Sequence, residues 1–157
     1  MKNFGYCVWM IPNNEEYLNL YKRGFSHHLS VKTEMTLSDS IKFINSLKQN
    51  SDVVNSINVI LGDAISSYED NFAAIEFPVY IYNDEIQEEQ SEKPWWWPDK
   101  AHISFEYQYD EPFSLEKIQE WNRIVKCKKI TLSKFIIMKC DGSYLEWKKV
   151  PEEMISD

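Results

Sequence analysis

The chain has few of the residues that build a metal site or a disulfide framework, with three histidines and three cysteines among 157 residues. The cysteines, Cys7, Cys127 and Cys140, are odd in number and form no Cys-x-x-Cys or Cys/His cluster. This usage favours reduced thiols in a cytoplasmic protein, and no metal or other cofactor is expected. The apolar run near the N-terminus, Tyr6 to Ile11, is about half of a signal-peptide core and about a third of a membrane span. The sequence therefore predicts neither secretion nor membrane insertion.

Positive charge is also scarce, since the chain has 25 acidic and 17 basic residues and a formal net charge of −8. Binding to long DNA or RNA depends on lysine and arginine that release counterions from the phosphate backbone, so the balance disfavours such a partner. A small nucleotide or a short oligonucleotide remains compatible with a local site. The hydrophobic content of 43% excludes a disordered chain, and the length predicts one domain over residues 1–157.

Strand and helix patterns alternate along the chain. Predicted strands cover residues 5–11, 28–35, 57–61, 75–82 and 101–109, followed by a hairpin over 129–148 that turns at Asp141-Gly142. Predicted helices begin at Asn13 or Asn14, at Ser38 and at Ser114, where each cap precedes an amphipathic run. Residues 62–71 and 83–100 are predicted loops.

Two short motifs repeat at a separation of 74 positions, His28-Leu29-Ser30 and His102-Ile103-Ser104. Each lies in a predicted strand that leads to a serine-capped helix, so the sequence predicts a chain of two related halves. Period-2 alternation predicts that each strand turns its His and Ser to one polar face and its aliphatic residues to the other. The same alternation places Lys32 and Glu34 on the polar face with the first motif. It places Glu106 and Gln108 on the polar face with the second motif.

Paired histidines with neighbouring hydroxyls fit chemistry at a phosphodiester. One imidazole can take a proton from the attacking oxygen while the other gives one to the leaving oxygen, because histidine titrates near neutral pH. A serine beside each imidazole can donate a hydrogen bond to a phosphoryl oxygen as charge develops there. The structural alternative is two half-exposed strand histidines with incidental serines.

The two His-x-Ser motifs resemble those of the 2H phosphoesterase superfamily, the LigT-like and cyclic phosphodiesterase-like proteins, which carry two His-x-Thr/Ser motifs. The resemblance covers nearly the whole chain and includes the strand that ends at Ile11-Pro12 and the closing hairpin with Leu132-Ser133, Gly142 and Tyr144-Leu145. It implies an α+β fold of two antiparallel-sheet lobes with pseudo-two-fold symmetry, a central cleft and helices outside. It also implies metal-independent catalysis by His28 and His102, with Ser30 and Ser104 binding phosphate. Many members have threonine where this chain has serine in both motifs, which leaves the subfamily open.

The resemblance implies 2′-5′ oligoadenylate, a 2′,3′-cyclic phosphate or a cyclic oligonucleotide signal as substrate. The excess of 15 lysines over 2 arginines, typical of an AT-rich genome, fits a virus among other sources, in which such an enzyme would counter host antiviral signalling.

Further residues are candidates for the substrate site. The run Trp95, Trp96 and Trp97 is predicted to stack on a nucleobase at the cleft mouth, with packing into the lobe as the alternative for any one of them. Lys32 could supply positive charge. The remaining tryptophans, Trp9, Trp121 and Trp147, are predicted to be core residues.

Two other function classes compete with the phosphodiesterase. One is a non-catalytic nucleotide- or RNA-binding module on the same fold. The other is a metal-dependent hydrolase that uses His27, His28 and a carboxylate.

Overall fold

The structure is a computed structural model that describes residues 3–12, 28–49, 56–83, 88–89, 92–125 and 129–155. In these ranges the strands are β1 (Tyr6–Pro12), β2 (His28–Met35), β3 (Ile57–Leu61), β4 (Ile65–Glu69), β5 (Phe72–Asn83), β6 (Glu88–Glu89), β7 (His102–Tyr109), β8 (Lys129–Lys139) and β9 (Lys148–Lys149). The helices are α1 (Leu37–Gln49) and α2 (Leu115–Val125). The helix predicted after Asn13 lies outside the described residues.

Six of the strands close into a ring. Strand β2 pairs with β1 and β7, β5 pairs with β7 and β3, and β8 pairs with β3 and β1, always antiparallel. The shorter strands β4 and β6 extend from β5, and β9 extends from β8. This pairing places the two motif strands, β2 and β7, side by side.

Strand β2 carries a bulge just after its motif. Trp9 of β1 lies opposite Ser30, but Val8 lies opposite Lys32, so Val31 is an extra residue on β2. An extra residue reverses the alternation of side chains beyond it.

Strand β7 carries a bulge at the corresponding position. Glu76 of β5 lies opposite Ser104 and Ile75 lies opposite Glu106, which leaves Phe105 as the extra residue. In both strands the extra residue is thus the third after the motif histidine.

The core has two parts. The larger cluster joins apolar strand residues to the buried faces of the helices, which contribute Ile44 and Leu47 from α1 and Trp121 and Val125 from α2. A smaller cluster contains Cys7, Trp9, Ala74, Tyr107, Ile136, Met138, Cys140 and Trp147. The larger cluster fixes the helices to the sheet, and the smaller one borders the cavity described below.

Most of the predicted elements are confirmed, with differences at their ends. The Ser114 hydroxyl accepts a hydrogen bond from Lys117 N at 3.2 Å, which confirms the predicted cap of α2. Helix α1 is instead capped by Thr36, whose hydroxyl accepts from Asp39 N at 3.1 Å, so the cap predicted at Ser38 is wrong. The segment predicted as a loop before β5 contains β4.

The closing hairpin differs from the prediction in its second strand. Tyr144-Leu145, predicted as extended, begins a 3₁₀ turn over Tyr144–Glu146, in which the Ser143 hydroxyl accepts from Leu145 N. The returning strand is β9, only two residues long.

The antiparallel sheet with two helices confirms the α+β class. Because the ring of strands is continuous, the strand pairing by itself marks no boundary between lobes. Helices α1 and α2, the α-helices of the described ranges, both fall short of the length and apolar character that crossing a bilayer requires.

Candidate active site

A cavity of about 330 Å³ receives side chains from both motifs. His28, Ser30, His102 and Ser104 all line it, as the sequence predicts for a shared site. The register of β2 and β7 explains the convergence, because His28 lies directly opposite Ser104 and the next pair is Leu29 with Ile103.

The ring of His102 is held by the backbone. Its Nδ1 lies 3.0 Å from the carbonyl oxygen of Lys100. A carbonyl only accepts hydrogen bonds, so Nδ1 carries the proton and donates it, which leaves Nε2 as the nitrogen that gains or loses a proton. Nε2 lies 3.6 Å from Glu76 Oε1, and the His102 side chain is 34% exposed. This arrangement presents a solvent-accessible acid–base group to the cavity.

The ring of His28 is held by stacking. It lies flat on the Trp9 indole, with ring centroids 3.3 Å apart and planes 5° from parallel. Only 2% of His28 is exposed. The indole therefore fixes the plane of the imidazole.

The two bulges decide which further polar groups enter the cavity. Because the alternation reverses after the extra residue, Thr33 and Tyr107 line the cavity, although sequence alternation placed both on the opposite face. The buried carboxylate of Glu106, predicted to accompany the second motif, instead accepts a hydrogen bond from Trp121 Nε1 at 3.0 Å on the helix side. No feature of the alternating pattern reveals this reversal.

Tyr107 supports the second motif. Its ring is buried, and its hydroxyl is hydrogen-bonded to the Ser104 side chain. Burial raises the pKa of Tyr107, so the phenol keeps its proton at neutral pH. The contact restricts the Ser104 hydroxyl to a defined direction beside His28.

The charge of the cavity lining is mostly negative. Three carboxylates, those of Glu34, Glu69 and Glu76, line the cavity. Among the described residues that line it, His28 and His102 are the only ones able to carry positive charge. A doubly charged phosphate monoester or a polyanion is therefore less favourable here than a singly charged phosphodiester.

The other walls are aromatic. Phe4, Trp9, Phe72 and Trp147 line the cavity together with Tyr107. Trp9 and Trp147 are buried, as predicted for core residues, but they border the cavity as well. Aromatic faces of this kind can pack against a flat ligand such as a nucleobase.

Lys32 does not line the cavity. Because it follows the Val31 bulge, its side chain turns to the helix side, where Nζ lies 5.2 Å from the centre of the Phe43 ring. The substrate-binding role predicted for Lys32 therefore has no support in this geometry.

The three adjacent tryptophans also lie outside the cavity lining. Trp97 N donates to the Pro94 carbonyl and closes a turn that contains Trp95 and Trp96. Trp96 is buried and packs edge-on against Phe135, and Trp97 packs against Trp96. Trp95 is 59% exposed and touches Phe43. The packing alternative thus describes Trp96 and Trp97, and the described residues provide no contact between the run and the motifs.

A metal centre has no counterpart in the described part of the chain, where no group of three or more His, Cys, Asp or Glu side chains is arranged to hold an ion. His27, which the metal-hydrolase alternative requires, lies outside the described residues.

No protein-family model matches the sequence, and no curated protein matches it.

Proposed function

We propose that this protein is a metal-independent phosphodiesterase of the 2H type, which cleaves a small nucleotide or a short oligonucleotide. The observation that carries the proposal is the convergence of both His-x-Ser motifs on one cavity through the pairing of β2 with β7. Two imidazoles and two serine hydroxyls around one small volume are the groups that a phosphodiester reaction needs.

In the proposed reaction the two histidines divide the proton transfers. One imidazole accepts the proton of the attacking oxygen, either a ribose hydroxyl or a water, and the other protonates the departing ribose oxygen. The bond from the attacking oxygen to phosphorus forms as the bond to the leaving oxygen breaks. Ser30 and Ser104 donate hydrogen bonds to the non-bridging oxygens, which gain charge in the transition state. The direction of the reaction decides which histidine is the base.

The order of elements supports a two-lobed arrangement with pseudo-two-fold symmetry. Apart from the two-residue strand β6 between β5 and β7, the succession strand, strand, helix, strand occurs twice, as β1-β2-α1-β3 and as β5-β7-α2-β8. The motif lies in the second strand of each succession. The last strand of each unit pairs with the first strand of the other, β3 with β5 and β8 with β1. The bulges after His28 and His102 fall at equivalent positions of the two units.

The cavity supports a short substrate. Its volume of about 330 Å³ suits part of a nucleotide rather than a folded nucleic acid. Its carboxylates disfavour extended polyanions, in agreement with the net charge of −8. We propose 2′-5′ oligoadenylate, 2′,3′-cyclic phosphates and cyclic oligonucleotides as the substrate class, with cytoplasmic location and interference with host antiviral nucleotide signalling as the biological setting.

One observation favours a binding module instead. His28 is almost fully buried against Trp9, which is also the environment of a packing histidine. A binding module would retain ligand affinity while showing no turnover, so turnover distinguishes the two functions.

The direct test is incubation of the protein with 2′-5′ oligoadenylate, 2′,3′-cyclic AMP and cyclic dinucleotides in excess chelator, with products identified by chromatography. We expect at least one of these substrates to be cleaved at an undiminished rate in the chelator. Binding of these ligands without any product would favour the binding module, and activity that disappears in chelator and returns with a divalent metal would favour the metal hydrolase.

Replacement of Tyr107 by Phe tests whether the Tyr107 hydroxyl orients the Ser104 hydroxyl. The variant removes one buried hydrogen bond, worth about 1 kcal/mol, and frees the Ser104 hydroxyl to rotate. We expect kcat to fall by about tenfold with little change in KM, because the oriented hydroxyl matters most in the transition state. Steady-state kinetics on the substrate cleaved fastest measure the effect.

Tyr109→Phe is the matched control for this variant. The Tyr109 hydroxyl accepts from Tyr144 N at 3.0 Å and lies outside the cavity lining. We expect it to lower thermal stability without lowering kcat. Equal kcat values for the two variants would remove Tyr107 from the proposed site.

A further inference from the structure

Two cysteines that are far apart in sequence meet at the cavity wall. Cys7 lies on β1, and Cys140 directly follows β8, its pairing partner. Both are free thiols with 1% exposure, and both line the cavity. The backbone holds the pair in place, because Cys140 N donates to Gly5 O at 2.8 Å and Phe4 N donates to Cys140 O at 3.0 Å.

The two thiols influence each other, and they are not equivalent. The hydrogen bond between the two side chains lowers the pKa of Cys7 and raises that of Cys140. A backbone hydrogen bond at Glu34 lowers the pKa of Cys7 further, against the effect of burial. Cys7 is therefore the first of the two to become a thiolate, the nucleophilic form of a cysteine.

We propose that Cys7 and Cys140 are a redox modification site, at which a small peroxide that enters the cavity produces an intramolecular disulfide. The Cys7 thiolate attacks one oxygen of hydrogen peroxide, the O–O bond breaks, and Cys7 becomes a sulfenic acid with release of hydroxide. The Cys140 thiol then displaces the sulfenic oxygen as water, and the S–S bond forms. The sulfur pair loses two electrons and the peroxide gains them. A dithiol reductant reverses the change.

The position of the pair in the cavity wall links it to the candidate site. Both cysteines are 1% exposed, and the cavity is the open space that borders them. Cys7 is opposite Met138 in the pairing of β1 with β8, so Cys7 and Cys140 are diagonal neighbours on one face of the sheet. The bond would tie together two segments 133 positions apart, and Trp9, on which His28 stacks, lies two residues beyond Cys7. Oxidation therefore alters the wall that holds the first motif.

The test treats the folded full-length protein with hydrogen peroxide and maps its peptides by mass spectrometry without reduction. We expect one peptide pair joined through Cys7 and Cys140, lighter by two hydrogen atoms than the free peptides and separated by dithiothreitol. Because the bond closes a long loop, we also expect Tm to rise on the order of 10 °C over the reduced protein.

Cys127→Ala is the control, because it leaves the proposed pair intact and should show the same joined peptide and the same rise in Tm. Cys140→Ser should show neither. A joined peptide that contains Cys127, a bond between two chains, or free Cys7 and Cys140 after a treatment that fully oxidises the unfolded protein would overturn the proposal. None of these readouts depends on the phosphodiesterase activity.

Discussion

His28→Ala and His102→Ala are each expected to lower kcat by about 10² to 10⁴, the range that general acid–base groups contribute. Each imidazole has a separate proton to transfer, so neither can replace the other. The KM should change much less, since the aromatic walls and the serine hydroxyls remain. We expect the double variant to be little slower than the worse single variant, because residues that act as a unit are not additive. Steady-state kinetics on the substrate cleaved fastest measure these effects.

The neighbouring histidine provides a matched control. His27→Ala removes an imidazole next to the first motif and should retain the parental kcat. Because His28 is buried, thermal melts of its variant must show that the fold is retained, and His28→Gln offers a smaller change of volume. The parent should show a bell-shaped dependence of rate on pH, and each alanine variant should lose that shape. Variants of His28 and His102 that keep more than a tenth of the parental kcat would refute two-histidine catalysis.

Trp121→Ala is expected to cause the largest loss of stability, about 3–5 kcal/mol in the free energy of unfolding. The side chain is 1% exposed and packs edge-on against Phe105, with ring centroids 5.2 Å apart. Its indole also donates to the buried carboxylate of Glu106, which lies 3.5 Å from the ammonium of Lys117 as well. Loss of volume and loss of a donor to a buried charge act in the same direction. Urea unfolding followed by circular dichroism measures the change.

An exposed tryptophan provides the control that isolates the effect of burial. Trp95→Ala removes the same atoms from a side chain that is 59% exposed, and we expect a change within about 0.5 kcal/mol. Trp121→Phe separates the two contributions, since it retains most of the volume and loses the hydrogen bond. A loss below 1 kcal/mol for Trp121→Ala would contradict the role of α2 in fixing the sheet.

Sequence patterns predicted the long elements well because burial imposes a period on them. Strands β2, β7 and β8 and helix α2 have apolar faces that the core fills. Strand β4 has no such face, since all five of its residues are exposed. The hairpin that creates it turns at Asp70 and Asn71, both with positive φ, which is a conformation that these two residue types tolerate. A turn that has no glycine and joins a polar segment to an apolar one is too weak a sequence signal to predict this hairpin.

The candidate site was predictable up to the first bulge of each motif strand and only in part beyond it. Alternation from His28 to Ser30 and from His102 to Ser104 gives the correct side of the sheet, and both motifs meet. Just beyond the extra residues the same rule fails, so it included Lys32 and omitted Tyr107. Glu34 follows a second register shift between β1 and β2, and it lines the cavity as alternation predicted. A bulge depends on the pairing of two strands, which a single strand's pattern does not contain. The tryptophan run was misplaced for a similar reason, because the turn at Pro94 decides which way it packs.

The closed ring of strands has a consequence for synthesis of the chain. Strand β8, which pairs with both β1 and β3, begins only at Lys129. A nascent chain that ends before this residue holds the other five strands of the ring but leaves one edge of β1 and one edge of β3 bare. Bare edges readily pair with strands of another chain. The growing polypeptide is therefore most exposed to aggregation until β8 is available to pair, and chaperone shielding at that stage would protect it.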